Sequence, residues 1–196
     1  MARPRADAQG PSARERIVRA FWDTLAERPF PEMTVAGLCS RADVNHNTFY
    51  YHFGCVEDLA RCAFEENMLP ELPRTLLPAL AGGAGGPDLP AGDADVLEHF
   101  GRARLFASSG SPLLSGLLRD SVMELWMQVA GVDAALLSEA DRDRLSFAFG
   151  GLVAAIGAMG AGASPSRMAA IAESPLGRGL FETLAQIAAR CAKPDE

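Results

Sequence analysis

The sequence predicts an all-α fold, with a compact N-terminal group of short helices followed by a larger helical part. Three observations lead there. Apolar residues recur at helical spacing, as in Ile17, Phe21 and Leu25. Helix-start residues stand in front of such stretches, as Ser12 does three residues before Glu15. Strand-like alternation is nowhere convincing. A chain of 196 residues, 48% apolar and 22% charged, is long enough to bury a core without disulfides or metals and too apolar for wholesale disorder.

Residues 1–11 hold two Pro, a Gly and several charges, and read as a loose arm. Ser12-Ala-Arg-Glu15 fits a capping box and opens a helix that Pro29 and Pro31 end. Met33 to Ala42 reads as a short helix with Thr34 as its N-cap. Asp43-Val44 is a tight turn. Asn45 caps a second short helix ending near His52-Phe53, and Gly54 breaks the chain. Val56 to about Met68 is helical again, with Leu59 and Cys62/Ala63 turned inward. Residues 70–92 hold five Pro and five Gly and read as a flexible loop region. No Gly-Lys-Ser/Thr follows those glycines, so they are not a phosphate loop.

Helices are expected at 93–107, 111–130 and 138–160, and a last one from about Pro165 to Ala192, interrupted near Pro175-Leu-Gly177. Ser111-Pro112 suits an N-cap and first turn. Leu114, Leu118, Val122, Leu125, Trp126 and Val129 form one apolar face. The expected division is 1–55, a helix-turn-helix domain with a basic arm, and 56–196, a second helical domain.

The net charge is −7, from 18 Lys+Arg and 25 Asp+Glu. An acidic chain does not bind nucleic acid over its whole surface, so any such activity needs a local patch. Residues 1–20 provide one: five Arg (Arg3, Arg5, Arg14, Arg16, Arg19) face only Asp7 and Glu15, a balance of +3. The four cysteines (Cys39, Cys55, Cys62, Cys191) form no CxxC and have no zinc spacing, and are expected to be thiols. Neither a signal peptide nor an 18-residue apolar run is visible, which makes a cytoplasmic protein without membrane contact the expectation. With three His and no triad or metal cluster in view, neither an enzyme nor a cofactor is expected.

Thr34 to Phe53 is the informative stretch. Two helices of about seven residues joined by a short turn form the helix-turn-helix unit, whose second helix lies in the major groove of DNA. Val35, Leu38, Val44, Phe49 and Phe53 are spaced to meet the flanking helices. That leaves Asn45, His46, Asn47, Thr48, Tyr50, Tyr51 and His52 facing outward or sideways. Asn can pair with adenine edges, hydroxyls can reach phosphates and aromatic rings can touch thymine methyls.

Val44-Asn-His-Asn-Thr-Phe-Tyr-Tyr-His-Phe53 resembles the recognition helix of the tetracycline-repressor (TetR) family of bacterial regulators, where Thr-(Leu/Phe)-Tyr-x-(His/Tyr)-Phe recurs. Met33-Thr-Val-x-x-Leu-Cys-x-x-Ala-x-Val44 is similar to the family's first motif helix, and Glu57-Asp58-Leu59 to the opening of its fourth. The likeness covers about residues 12–65. It implies that Asn45, His46 and Asn47 read bases, and that Thr48 and Tyr50 bind a phosphate or a base edge. Tyr51 and His52 would clamp the backbone. It also implies that Thr34 and Val35, at a helix start, meet a phosphate, and that Arg3 and Arg5 reach a groove or the backbone. The sequence departs from the family at Val56, where Lys is usual, at Ala36 and Gly37, where a basic residue is common, and at Asp43, where Gly is common. Asp visits positive φ more readily than most residues.

The resemblance further implies a homodimer reading a palindromic operator and released by a small apolar or amphipathic effector. Small residues let helices approach closely, so Gly150, Gly151, Ala154, Gly157 and Ala158, with Leu180, Leu184 and Ile187, are the expected dimer surface. His99, Phe100, Phe106, Met123, Glu124, Trp126 and Met127 are candidates for an effector pocket between the middle helices, though a stripe of Met and aromatics also suits plain core. The alternative is a protein of this fold that binds a ligand or partner and has weakened or lost operator binding, a reading favoured by Val56, Ala36 and the acidic balance.

Overall fold

The computed structural model describes residues 10–68, 94–160 and 164–192. Among these residues it is all-helical, with one isolated antiparallel bridge between Val132 and Ala192. The expected loop region at 70–92 and the arm residues Arg3 and Arg5 lie outside the described residues. The chain divides into two compact units, Met1–Ala63 and Phe64–Glu196.

In the first unit, α1 (Ala13–Glu27) starts at the expected capping box. Ser12 Oγ accepts from the Glu15 N–H at 3.2 Å, and the Glu15 carboxylate accepts from the Ser12 N–H at 2.7 Å. Hydrogen bonds to its carboxylate from the Ser12 N–H and then the Ser12 side chain hold the Glu15 carboxyl below its ordinary pKa. Ile17, Phe21 and Leu25 are buried, as their spacing predicts. A 3-10 turn (Phe30–Glu32) follows Pro29. Next come α2 (Val35–Ala42) and α3 (His46–His52), and α1 packs against both. Leu38, Cys39, Ala42, Phe49 and Phe53 fill the space between these helices and α1. The next helix, α4 (Val56–Asn67), begins in this unit, where Leu59, Ala60 and Ala63 are buried, and ends in the second. Arg14 on α1 donates to Cys62 Sγ at 3.2 Å and lies 5.5 Å over the Phe53 ring, which ties α1, α3 and α4 together.

Asp43 closes α2 in the left-handed region (φ 51°, ψ 54°). Arg16 on α1 holds this turn: its guanidinium donates to the Asp43 carbonyl at 3.1 Å and lies 3.7 Å from the carboxylate. Asp tolerates this backbone better than a β-branched residue. Asp43→Val should therefore lower stability by about 1–3 kcal/mol, whereas Asp43→Gly should stay within about 1 kcal/mol of the parent chain. Urea melts of the two variants check this.

In the second unit, α5 (Ala94–Ala107), α6 (Pro112–Val129) and α7 (Glu139–Ala158) pack on one another. Of the expected α6 face, Leu114, Leu118, Val122 and Trp126 are buried, while Val129 is exposed. Ser111 stands at the start of α6 but makes no side-chain cap bond, and Ser115 Oγ donates to its carbonyl instead, at 3.1 Å. The last helical stretch, expected to be interrupted near Pro175, is two helices, α8 (Pro165–Ala172) and α9 (Pro175–Arg190). Ser174 caps α9 by accepting from the Gly177 N–H at 3.1 Å. Gly177 is buried at this corner, where a Cβ would sit 2.7 Å from the Ala172 carbonyl carbon.

Far from its neighbours in sequence, Arg190 near the end of α9 donates to Asp141 Oδ1 at 2.6 Å, and Arg144 donates to the same oxygen at 3.1 Å. Asp141 is also the carboxylate of a second capping box with Ser138, whose hydroxyl donates to it at 2.6 Å. The Ser138 and Arg190 hydrogen bonds lower its pKa from 3.8 to about 2. A depressed folded-state pKa stabilises the fold at pH above the unfolded value and stops doing so as pH falls through the folded value. The stability difference between the parent chain and Asp141→Asn should thus be full near pH 7 and shrink between about pH 4 and about pH 2. Chemical denaturation across that range measures it, and a difference that stays constant would contradict the assignment.

Candidate nucleic-acid interface

The outward face of α3 is built from behind. Phe49 is fully buried and Phe53 nearly so, their rings 5.8 Å apart, which orients the helix with its remaining side chains toward solvent. Tyr50 is 56% and Tyr51 84% exposed. Exposing two tyrosines side by side on a seven-residue helix forgoes burial worth about 1.5–3 kcal/mol for a large side chain. The Tyr50 ring meets Phe49 edge-on at 5.5 Å, and Tyr51 meets His52 edge-on at 4.9 Å. His46 and Asn47, in the first turn, are exposed, and His52 is half-buried.

Asn45 caps α3 as expected, and the Thr48 hydroxyl joins the cap. Asn45 Oδ1 accepts from the Thr48 N–H at 2.8 Å and from the Thr48 hydroxyl at 3.1 Å. Capping thus occupies the acceptor that Asn45 would need for a two-bond base contact, and the Thr48 proton that would have gone to a phosphate. At the start of α2, Thr34 Oγ1 accepts from the Gly37 N–H at 3.2 Å, with Val35 half-buried beside it. Arg41, at the end of α2, is paired with Glu27 at 2.5 Å. Residues 1–63 hold eight Arg and eight Asp or Glu, so the −7 charge falls wholly on residues 64–196.

The proposed effector residues differ in burial. Phe106 is fully buried against Phe64 at a ring distance of 5.1 Å, and Trp126 is buried against Phe149 at 5.9 Å. Both are core. His99, Phe100, Met123 and Met127 are half-buried and Glu124 is exposed. Two surface grooves in this unit involve none of the seven. One, of about 360 Å³, is lined by Ala107, Ser115, Gly116, Arg119, Gly150 and Ala154. The other, of about 540 Å³, is lined by Arg144, Thr183, Gln186 and Arg190 beside Ile187 and Ala189.

The proposed dimer residues divide. Gly151, Ala154 and Ala158 are exposed, Gly150 and Leu180 are half-buried, and Leu184 and Ile187 are buried within the unit. Gly157 answers to a neighbour in its own chain: a Cβ there would stand 2.7 Å from the Ala107 carbonyl oxygen. Gly157→Ala should destabilise by about 1–3 kcal/mol through overpacking. Gly101→Ala on α5, where nothing lies within 4 Å, should instead gain about 0.5–1 kcal/mol of helix propensity. Opposite shifts in melting temperature test the pair. Phe147, which is not among the expected site residues, is 79% exposed. It precedes Gly151, Ala154 and Ala158 by four, seven and eleven positions, a spacing that marks one helix face and was visible in the sequence.

Among the described residues no helix is long and apolar enough to cross a membrane, and no cluster of His, Cys, Asp or Glu could hold a metal ion. No family model, curated protein or solved structure matches the chain.

Proposed function

We propose that the chain is a DNA-binding transcriptional regulator of the tetracycline-repressor kind, a homodimer that reads a palindromic operator with α3. The observation that carries this reading is the exposed face of α3. His46, Asn47, Tyr50 and Tyr51 point to solvent from a helix anchored by Phe49 and Phe53, in a three-helix unit whose turn is held by Arg16 and Asp43. A helix of this kind presents polar and aromatic groups to base edges and phosphates together. The exposed small residues Gly151, Ala154 and Ala158 on α7, with the exposed Phe147 ring one turn before them, support a second copy as partner, because small residues let two helices approach closely and an exposed ring gains by being covered. An effector acting on the second unit would release DNA by binding the DNA-competent and released states with different affinity.

A second reading, a protein of this fold without operator binding, is favoured by one observation. α3 carries no Lys or Arg, and residues 1–63 are neutral overall, so few phosphate charges would be neutralised. A mobility shift of the full chain on the DNA flanking its own gene, at low salt, separates the two. A shifted band competed poorly by random duplex supports operator reading, and no shift supports the second.

A further inference from the structure

We infer that the base pair facing the first turn of α3 is A·T and that Asn47 selects it. This rests on the DNA-binding reading above and adds to it the chemistry of the site.

Guanine is read most often by two bonds from Arg or Lys to its O6 and N7. α3 has the sequence His-Asn-Thr-Phe-Tyr-Tyr-His and supplies neither. Of the cations on the adjoining elements, Arg16 is engaged with Asp43, Arg41 with Glu27, and Arg14 with Cys62 and the Phe53 ring. Adenine is read by two bonds from an Asn or Gln amide to N6 and N7, one accepted and one donated. Two asparagines stand at the start of α3. Asn45 has its amide oxygen committed to the Thr48 N–H and hydroxyl, and keeps only donors for an outside group. Asn47 is exposed and has both halves of its amide for a base. An imidazole such as that of His46 offers a base edge one bond at a time, enough for N7 of either purine, so it does not choose between them.

The neighbours of Asn47 suit the other half of the pair. Tyr50 and Tyr51 follow it by three and four positions and share its helix face, with Tyr51 84% exposed. An apolar ring face there meets the thymine methyl, which neither guanine nor cytosine carries. The lack of cations on α3 therefore narrows which base is read as well as weakening attraction to phosphate.

Selection of the full chain on a pool of random duplexes at low salt, followed by sequencing, tests this. The parent chain is expected to enrich an A·T pair at a fixed place in each half-site, with exchange to G·C lowering affinity roughly 5- to 150-fold. Asn47→Ala should abolish preference at that one place and leave the others. Asn47→Asp offers only acceptors and should move the preference toward cytosine, whose N4 donates. Asn47 is exposed in the first turn of its helix, where an acidic residue is favourable, so circular dichroism of both variants should match the parent. Enrichment of G·C at the Asn47-dependent place would overturn the inference and leave DNA binding standing. So would A·T enrichment that Asn47→Ala does not change, since groove shape would then be the cause. Retention of no duplex at all would overturn the DNA-binding reading and this inference with it.

Discussion

Phe49→Ala should unfold the first unit at much lower denaturant than the parent chain, with a loss of about 3–5 kcal/mol. Phe49 is fully buried and is the one buried residue on α3 itself, with the Phe53 ring 5.8 Å away. Removing the ring leaves a cavity where α3 meets α1 and α2, and three short helices have little means of collapsing to fill it. A seven-residue helix is not stable alone, so the loss falls on the placement of the whole outward face. Amide exchange in α3 measures this locally, which matters because a chain of two units need not melt in one step. Tyr51→Ala, two residues away and 84% exposed, should change stability by no more than about 0.5 kcal/mol. Equal losses from the two changes would mean that α3 is not anchored as described.

His46→Ala/Asn47→Ala should lower affinity for the cognate operator by about 30-fold or more, at roughly 1–3 kcal/mol for each good base contact. Affinity for random DNA should change only a few-fold, because that binding comes from phosphate charge, to which neither residue adds a fixed cation. Both side chains are exposed, and the cap between Asn45 and Thr48 is untouched by the double change. Fold and base reading are therefore separable here. Titrations on operator and on random duplex at one salt concentration decide the matter. Parallel losses on both would contradict base reading by α3.

The features of this protein that amino-acid order alone settled are those made within a few residues of chain. The Ser12–Glu15 box, the Thr34 and Asn45 caps, the left-handed turn at Asp43 and the buried row Ile17, Phe21 and Leu25 all follow from hydrogen bonds or helix periodicity inside a single element. Much of the outward face of α3 was legible for the same reason: once Phe49 and Phe53 turn inward, helical geometry sends Asn47, Tyr50 and Tyr51 the other way. Other assignments required parts distant in sequence to meet. Arg16 reaches Asp43 across 27 positions and Arg190 reaches Asp141 across 49. Gly157 is needed because the end of α5 crosses there, and Phe106 and Trp126 belong to the core because Phe64 and Phe149 cover them. A periodic pattern says which side of a helix is apolar. What covers that side, whether a neighbouring helix, a ligand or a second copy, is decided only by how the elements pack.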